Sequence, residues 1–483
     1  MAVLGIDLGT TACKVCAYDN SGNLLAKARD EYKIISKKPG WAELDPIQLK
    51  KSVFNTIKRI SSLINEPIFS ISFSSQGEGI VPMNNNYEPI GNIILSYDNR
   101  SKAQAEYIEN GFGKENYFNI TGQIINSAVS ASKIMWIMEN TDYYNSKPQK
   151  FCCVGDYLIS CFGLKPAIDC SLAARTGCFD VHNLCWNSDI LSKIFINENM
   201  LSNVQTAGSV AGYVGLDLSS ALGLSKGTAI VVGGHDQPCG HYGVCGERFN
   251  ESYYSLGTTE TCVCTFDNFM PELFNLGLPC YPHIVQNKYV TLPGNYTGGI
   301  LLNWYKDQFF ISTNNNDPYD EIIDYMSNNP TKILVLPHFT STGSPYNDDN
   351  SSGAIMGLKL STTKGEFVRA LIEGVTMEIK LNLELLKSID INVDSLVAAG
   401  TSTKSKKIMQ LKADVLNKLI YVNDSGEAAA AGAGMLALKG LGIEPRYNVS
   451  HINEYKPNEE NSAFYNEQFG KYKKIYPAVK AIL

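Results

Sequence analysis

The clearest hydrophobic pattern in the chain is a strand–turn–strand unit that occurs twice. Apolar residues alternate on both sides of the turn Leu8–Thr11, and again on both sides of Leu256–Thr259. Alternation around a glycine-containing turn predicts a β-hairpin. The two copies lie 256 − 8 = 248 residues apart, and they differ where Asp7 in the first copy corresponds to Ser255 in the second. A repeat at about half the chain length predicts two related domains.

Apolar periodicity elsewhere predicts alternating strands and helices, and therefore an α/β fold. In the first half we expect strands at 3–8, 13–18, 68–74, 92–96 and 228–233 and helices at 46–64, 101–110, 130–140, 155–162 and 237–246. In the second half we expect strands near 333–336, 395–399 and 419–423 and helices near 298–308, 318–327, 364–387, 404–416 and Glu427–Gly440. The polar tail from about 441 to 483 is expected to end in a basic-aromatic helix on the surface.

Each predicted hairpin has a chemical use. Glycine permits a tight turn and a close approach of the backbone to a ligand. Successive N–H groups in such a turn form a concave anion site, and threonine hydroxyls add donors. Two such turns that face each other would hold a chain of phosphates from both sides. The alternative is an ordinary hairpin turn with small residues, and the residues do not show which threonine of each pair would touch phosphate.

Composition narrows the class of partner. The chain has 483 residues, of which 44% are apolar and 18% are charged, and its net charge is −7. This balance provides no bulk attraction to nucleic acid or to an anionic membrane. No apolar run approaches the ~20 residues of a membrane span. We therefore expect a small-molecule ligand, with no nucleic-acid or membrane partner.

The cysteines and the start of the chain bear on location. Thirteen scattered cysteines form no disulfide framework, and Cys13 and Cys16 are most simply small strand residues. The chain opens directly on an apolar strand, with no charged leader and apolar signal segment. We therefore expect a cytoplasmic protein.

Six segments in a fixed order resemble the FGGY family of carbohydrate kinases over nearly the whole chain. Both Gly-Thr-Thr turns resemble its phosphate hairpins, and the other segments resemble a P-G-W-x-E-x-D-P stretch, two sugar loops and a catalytic loop. These are Pro39–Pro46, Ser75–Glu78, Asp98–Arg100 and Gly233–Gln237. The resemblance implies two ribonuclease-H-like domains of the actin and hexokinase ATPase type, 1–247 and 248–483, with a catalytic cleft between them. It also implies ATP and Mg²⁺ as cofactors and a sugar or polyol as substrate, and it leaves a homodimer open.

Asp236 is the expected catalytic residue. It follows an apolar strand and a Gly-Gly turn and precedes a predicted helix, with Pro238 near the first helical position. Aspartate is a favoured helix N-cap, so a structural role is one interpretation. The resemblance implies a general base that accepts the proton of the sugar hydroxyl as the γ-phosphoryl group arrives. The two roles do not exclude each other.

Asp7 is the expected metal residue. A carboxylate beside a phosphate turn faces a ligand of like charge, which is favourable if Mg²⁺ lies between them. The alternative is a surface aspartate on a hairpin.

The nucleotide side departs from the family pattern. The family often has three glycines where this chain keeps Gly400 alone, while Gln410, Ala413 and Asp414 are retained. The small-residue helix from Glu427 either flanks the adenosine or serves close helix packing. The resemblance implies the following nucleotide contacts: Thr10, Thr11, Gly257, Thr258, Thr259, Gly400, Thr401, Lys404 and Gln410.

The sugar side is expected to set the substrate. Glu78 agrees with a glycerol-kinase-like Gln-Arg-Glu pattern, but Gly77 replaces its arginine, and a xylulokinase-like Gln-Met-His-Gly pattern is absent. We expect Gly77 to leave room for a longer sugar, which favours a pentulose such as xylulose over glycerol. Erythritol, ribulose, fuculose and gluconate remain alternatives. The resemblance implies these sugar contacts: Gln76, Gly77, Glu78, Asp98, Arg100, His235, Asp236 and Gln237.

Two other classes of protein share this scaffold. A chaperone- or actin-type ATPase would use the same clamp as a switch, but it does not explain Pro39–Pro46 or the His235-Asp236-Gln237 loop. A catalytically silent sugar-binding regulator would fit the thinned glycine loop at Gly400, although the presence of Asp7 and Asp236 argues against it.

Overall fold

Two mixed β-sheets, one built mainly from each half of the chain, carry the architecture. The computed structural model describes residues 1–144, 146–311, 317–340, 342–348, 350–423, 427–445 and 451–482. In the first sheet the strands follow the order Val210–Tyr213, Ala229–His235, Ile68–Ser75, Ala2–Leu8, Ala12–Asp19 and Leu24–Glu31. Its three central strands are parallel, and the outer strands are antiparallel to their neighbours.

The second sheet repeats this topology. Its strands follow the order Tyr281–Pro282, Tyr289–Thr291, Glu260–Phe266, Ser252–Leu256, Ser395–Gly400, Leu419–Asn423 and His451–Tyr455, and Gly294–Asn295 also pairs with Glu260–Phe266. Three adjacent strands, Ser252–Leu256, Ser395–Gly400 and Leu419–Asn423, are again parallel. The duplication seen in the sequence is therefore a duplication of the fold, and the α/β prediction is correct.

Helices connect and cover the sheets. Those of the first half are Pro46–Leu63, Lys102–Phe112, Lys114–Thr121, Ser130–Glu139, Val154–Cys161, Cys170–Arg175, Ser188–Lys193, Leu216–Leu222 and Asp236–Cys245. Those of the second half are Ile300–Phe309, Pro318–Tyr325, Lys364–Lys387, Lys406–Leu416, Ala428–Gly440, Glu459–Tyr472 and Ile475–Ile482. Short strands form the small sheets Ile34–Ile35 with Glu43–Leu44 and Ile93–Ile94, Val81–Met83 with Lys150–Cys152, Ala167–Ile168 with Asn203–Val204, Phe179–Asp180 with Cys185–Trp186, and Leu334–Leu336 with Ala354–Met356.

The strand register refines the alignment of the two hairpins. In the first hairpin Leu8 pairs with Cys13, which leaves four residues in the turn. In the second, Leu256 pairs with Glu260, which leaves three. The second turn is thus one residue tighter, and beyond the turns the two copies correspond at an offset of 247 and not 248. Asp7 and Ser255 precede the turns, so their correspondence is unchanged.

Two helices cross between the halves, and we call them the first crossing helix (Asp236–Cys245) and the second crossing helix (Ala428–Gly440). Each follows an outer parallel strand of its own sheet and packs against the other sheet. A Cβ added to Gly240, in the first, would lie 2.5 Å from Tyr253 in the second sheet. A Cβ on Gly5, in the first sheet, would lie 1.9 Å from the carbonyl oxygen of Ala430. Each half therefore packs one of its helices against the sheet of the other half.

The crossing helices also touch each other, backbone to backbone. A Cβ on Gly432 would lie 1.9 Å from the carbonyl oxygen of Cys239, and one on Gly243 would lie 2.1 Å from that of Ala428. Ser70 of the first sheet donates a hydrogen bond to the carbonyl of Ala437 at 2.7 Å. Close packing therefore accounts for the small residues of the second crossing helix.

The C-terminal tail contributes to the core. Its strand His451–Tyr455 completes the second sheet, and its two helices bury their aromatic residues against the long helix Lys364–Lys387. Tyr465, Phe469 and Tyr472 are each at most 3% exposed. The last helix, Ile475–Ile482, lies on the surface as expected, with only Ile475 and Tyr476 buried. The helix before it, Glu459–Tyr472, buries aromatic residues that the polar composition of 441–483 did not reveal.

Two further differences have local causes. The strand Leu24–Glu31 was not predicted, because as an edge strand its residues are half-buried or exposed and carry little apolar alternation. The helix expected from 404 begins at Lys406, because Ser405 caps it by accepting the N–H of Ile408, and Thr401–Lys404 form a 3₁₀ turn before it.

Two properties bear on location and chemistry. In the part of the chain that the structure describes, no helix is long and apolar enough to cross a membrane. All thirteen cysteines lie in that part, and each is a free thiol.

Gly432→Ala tests the crossing. The added methyl group would overlap the Cys239 carbonyl, so we expect a loss of about 3 kcal/mol or more of folding free energy, or failure to fold. Gly470→Ala is the control, since Gly470 lies in a helix with no atom within 4 Å of its added Cβ. It should leave stability unchanged or raise it by up to ~1 kcal/mol. Urea unfolding measures both, and equal stabilities would contradict the packing described.

Candidate functional site

The candidate site lies where the parallel strands of the first sheet end. Asp7, Ser74 and Gly234 share one row across these strands, and Leu8, Ser75 and His235 share the next. Ligands of open α/β sheets bind at the carboxyl ends of parallel strands. The chain leaves this edge through the first turn, the sugar loop after Ser75 and the first crossing helix, so their side chains converge.

Asp236 is the first residue of the first crossing helix. The N-cap position is occupied by His235, and the side chain of His235 makes no capping hydrogen bond. The N-cap interpretation of Asp236 was therefore wrong, and its carboxylate is available for other chemistry. The side chain is 28% exposed, and His235 Nε2 lies 3.2 Å from Asp236 Oδ1.

The charges around Asp236 favour its protonated form. Burial raises the pKa of the Asp236 carboxyl to about 8, and the negative charges of Asp7 and Glu78 add to this effect. Arg175 opposes it. Burial likewise raises the pKa of Asp7, against the attraction of Lys14, which lies 3.7 Å away. Two carboxyl groups that resist ionisation at one sheet edge indicate a place where positive charge is bound.

The first turn is tied to the sugar loop. Gly9 donates its N–H to the carbonyl of Ala12 at 3.1 Å, and its own carbonyl accepts hydrogen bonds from Tyr32 and, at 3.3 Å, from Gln76 Nε2. Gln76 therefore contacts the turn with one end of its amide. The other end, Oε1, has no hydrogen-bond partner among the described residues.

Glu78 has an unusual backbone. Its φ is +57°, a left-handed conformation that residues other than glycine rarely adopt. The side chains of Ser130 and Lys133 hold this conformation by donating to the Glu78 carbonyl at 3.1 and 3.0 Å. The Glu78 carboxylate is ion-paired to Arg175, which also donates to Gln123 at 2.8 Å.

Gly77 does not leave room for a sugar. A Cβ at Gly77 would lie 3.0 Å from His235 Nε2 and 3.4 Å from Arg175 Cβ. The space that the missing side chain leaves is thus occupied by the protein itself, and the expectation of a larger sugar pocket at Gly77 was wrong. His235, which is 4% exposed, forms the wall behind Asp236 instead of facing the ligand.

Asp98 and Arg100 lie one layer further back. The Arg100 guanidinium donates to both Asp98 oxygens, at 2.9 and 2.6 Å, and its Nη1 lies 2.9 Å from Glu43 Oε1. It also stacks 3.6 Å from the centre of the Trp41 ring. The side chains of Asp98 and Arg100 are 0% and 1% exposed, which leaves neither free to face a ligand. They fix the Pro39–Pro46 segment against the sugar loop.

The second turn projects into solvent. Gly257, Thr258 and Thr259 are exposed. The carbonyls of Gly257 and Thr258 accept the N–H groups of Gly299 and Gly298, both at 3.0 Å. The helix Ile300–Phe309 thus begins against this turn. Its N-terminal backbone adds positive partial charge beside the place where the turn would hold phosphate.

Gly400 lies beside the second turn. It pairs with Leu256, and a Cβ there would lie 2.1 Å from the Leu256 carbonyl oxygen, at a φ of +130°. It directs Thr401 and Lys404, both exposed, past the turn. Gly400 alone allows the two strands to approach each other this closely. The contact therefore does not require the other two glycines of the family pattern.

Gln410 contacts the C-terminal tail. Its Nε2 donates to Asp414 and to the carbonyl of Lys456, both at 2.8 Å. Asp414 in turn accepts from the backbone of Asn458 and the side chain of Asn461, both at 2.8 Å. The structure thus shows Gln410 anchoring the C-terminal tail.

The carboxylates fit a magnesium ion held jointly with phosphates. Among the described residues, no three carboxylate, histidine or cysteine side chains meet as a metal centre. Mg²⁺ is usually held by one or two carboxylates together with substrate phosphates and water. Asp7, whose protonation is favoured by burial, can serve as one such carboxylate.

Several side chains of the site could not be found from the sequence. Arg175 lies 97 positions from Glu78 with no motif around it, and Lys133 is wholly buried. Tyr281 belongs to the second half of the chain, yet its hydroxyl lies 2.9 Å from His235 Nδ1. The pair Gly298-Gly299, at the start of the helix predicted near 298–308, was a signal for the backbone contact with the second turn.

Profiles of known protein families identify the chain. The N-terminal domain of the FGGY family of carbohydrate kinases matches residues 2–243, and its C-terminal domain matches residues 252–441. The chain therefore belongs to the FGGY family and is a carbohydrate kinase, a phosphotransferase that acts on a small-molecule sugar.

Individual relatives span the whole chain. The xylulose kinase of Staphylococcus epidermidis RP62A is 27% identical, with 99% of this chain and 97% of that protein covered. The gluconokinase of Bacillus licheniformis is 26% identical, with 96% and 93% covered. The xylulose kinase of Lactobacillus acidophilus is 24% identical with a TM-score of 0.89, and 99% and 98% are covered. The Plasmodium falciparum glycerol kinase with ADP is 22% identical with a TM-score of 0.86, and 98% of each chain is covered.

Gly77→Ala separates two roles for this glycine. The methyl group would displace His235 and, through it, Asp236, so kcat should fall by roughly tenfold or more for every accepted sugar. Gly470→Ala is again the control. A pocket role predicts a different result, in which KM rises for longer sugars while kcat is kept. Steady-state kinetics with a three-carbon and a five-carbon substrate distinguishes the two.

Proposed function

We propose that the protein transfers the γ-phosphoryl group of ATP to a hydroxyl of a neutral ketose, and that the ketose is a pentulose such as xylulose. The observation that carries the proposal is Asp236, a carboxylate that caps no helix and stands at the sheet edge beside the Glu78–Arg175 pair. The xylulose kinases among the relatives support the pentulose.

The chemistry follows from the placement of the side chains. Asp236 accepts the proton of the attacking hydroxyl, which sharpens its nucleophilicity as the phosphoryl group approaches. The two Gly-Thr-Thr turns hold the phosphates from opposite sides through N–H and hydroxyl donors. Phosphoryl transfer depends mainly on alignment and charge stabilisation, so these turns contribute as much as the base.

Asp7 would hold Mg²⁺ beside the phosphates, which leaves Asp236 to act as the base. The bound ion supplies charge neutralisation for the phosphate oxygens. Positive charge bound at Asp7 would lower the pKa values of both carboxyl groups, so that Asp236 would be ionised when the site is filled.

The charge of the sugar pocket favours a neutral substrate. Arg175 is the positive group beside Glu78, and Glu78 already neutralises it. A sugar acid would be repelled unless it displaced Glu78 from Arg175, whereas a neutral polyol can use the ion pair as it stands. Polar atoms without partners in the described residues, Gln76 Oε1, Gln123 Nε2 and Gln237 Oε1, are suited to hydroxyl groups.

A substrate panel tests this proposal. We expect the highest kcat/KM for a neutral pentulose, lower values for glycerol and the lowest for gluconate. In Glu78→Gln, which releases Arg175 from its ion pair, the ratio of gluconate to pentulose efficiency should rise. A wild-type preference for gluconate or glycerol would replace the pentulose proposal, and binding without phosphorylation of any sugar would favour a silent regulator.

Asp236→Asn tests the base. We expect unchanged sugar and nucleotide affinity by calorimetry but a fall in kcat of ~10²–10⁴. Asp217→Asn, at an exposed helical position, should keep full activity. Retention of more than about a tenth of wild-type kcat in Asp236→Asn would contradict the assignment.

A further inference from the structure

Lys133 is a wholly buried lysine on the helix Ser130–Glu139. Its ammonium group donates hydrogen bonds to three backbone carbonyls, those of Glu78 at 3.0 Å, of Ala128, and, more distantly, of Ser96 at 3.4 Å. An ammonium group has three donors, so the three carbonyls use all of them. A charge is costly to bury even when it is hydrogen-bonded, so a lysine at this place requires an explanation.

The three carbonyls belong to segments that surround the proposed sugar. Glu78 ends the first sugar loop, Ser75–Glu78, and Ser96 lies two positions before the second sugar loop, Asp98–Arg100. Ala128 lies just before the helix that carries the lysine. Carbonyl oxygens that converge on one buried point repel each other unless a donor lies between them. The ammonium group therefore joins both sugar loops to the start of the helix.

The contact with Glu78 has a specific consequence. The φ of +57° at Glu78 costs free energy, and such a conformation persists only where the surrounding contacts maintain it. Lys133 donates to the carbonyl of this residue, and the Ser130 hydroxyl donates to the same oxygen at 3.1 Å. With its backbone fixed in this way, Glu78 directs its carboxylate to the ion pair with Arg175. Lys133 thus determines from behind the loop where the carboxylate stands.

We propose that Lys133 is a positioning residue for sugar binding, which in its ammonium form holds the two sugar loops together, fixes the Glu78 carboxylate beside the sugar and makes sugar affinity depend on pH. The inference rests on the proposed function, in which Glu78 belongs to the sugar pocket. The neutral amine has two donors and a lone pair in place of three donors. Loss of the proton therefore turns a lone pair towards one of the carbonyls and loosens the loops.

The surroundings of Lys133 place this change at ordinary pH. Burial lowers the pKa of Lys133 to about 7, against the negative charges of Glu78 and Asp98 and the Cys153 thiol, and the positive charge of Arg100 adds to the lowering. Glu78 and Asp98 are each ion-paired with an arginine, and burial raises the pKa of Cys153 well above its ordinary value. As pH rises through about 7 the ammonium loses its proton, so sugar affinity should fall. By linkage, sugar binding should take up protons.

Calorimetric titration with xylulose from pH 6 to pH 9 tests the pH dependence. The Asp236→Asn protein is used beside the wild type, because it lacks the titration of the Asp236 carboxyl. If the sugar raises the pKa of Lys133 by about one unit, Kd should rise roughly tenfold over this range. About half a proton should then be taken up per sugar at pH 7.5, which the binding enthalpies in phosphate and in Tris measure.

Lys133→Met removes the charge and the donors at nearly constant length. We expect a xylulose KM raised by roughly tenfold at pH 6.5, an ATP KM within about twofold of wild type, and loss of the proton uptake. Lys380→Met is the matched control in the second half. Lys380 is a buried lysine that donates to the Val415 carbonyl at 2.9 Å and to Asn466 at 2.6 Å, and burial lowers its pKa to about 8. Its loss should lower stability and leave the xylulose KM unchanged.

The outcomes separate this inference from the proposed function. A Kd that stays constant from pH 6 to pH 9 in Asp236→Asn, without proton uptake, would overturn the role of Lys133 even if Lys133→Met does not fold. Equal rises of the xylulose and ATP KM in Lys133→Met would show a structural role and overturn it as well. An active Asp236→Asn whose xylulose affinity still depends on Lys133 would overturn the base alone. Absence of xylulose binding would overturn the pentulose and this inference together.

Discussion

The structure depends on backbone contact between the two crossing helices. A helix normally keeps its neighbours at the distance of its side chains, but glycines at 243 and 432 bring these two helices to contact distance. Gly5 extends the same contact to the first sheet. Each half of the molecule is therefore completed by a helix from the other. A division of the chain at residue 247 describes the sequence repeat better than it describes the packing.

The crossing also places the chemistry. Asp236 begins the first crossing helix, so the carboxylate stands where the chain passes from one half to the other. The small-residue start of the second crossing helix follows Glu427, whose carboxylate lies 2.9 Å from Lys14, the cross-strand neighbour of Asp7. The residues at the starts of both helices thus adjoin the first turn. The packing that joins the halves therefore also places charged side chains in the site.

The parts of this account that sequence could predict are those with a local pattern. The two hairpins, the parallel strands and most helices follow from apolar periodicity, and Asp236 and Asp7 follow from their places in short motifs. Arg175 and Tyr281 do not, because their roles come from contacts between distant segments, 97 and 46 positions away. Gly77 was misinterpreted for the same reason: its neighbour His235 is adjacent in space and not in sequence. The polar tail was placed on the surface because its buried aromatics are spread among charged residues.

We propose that the two halves, joined at the crossing helices, close over their substrates. The sugar loop and the first turn belong to one half, the second turn and Gly400 to the other, and in-line transfer requires them to converge with water excluded. Solution X-ray scattering of the protein alone, with sugar, with a non-hydrolysable ATP analogue and with both measures this directly. The account predicts a smaller radius of gyration and a narrower distance distribution with both ligands. Identical curves at demonstrated saturation would contradict closure and favour a preformed site.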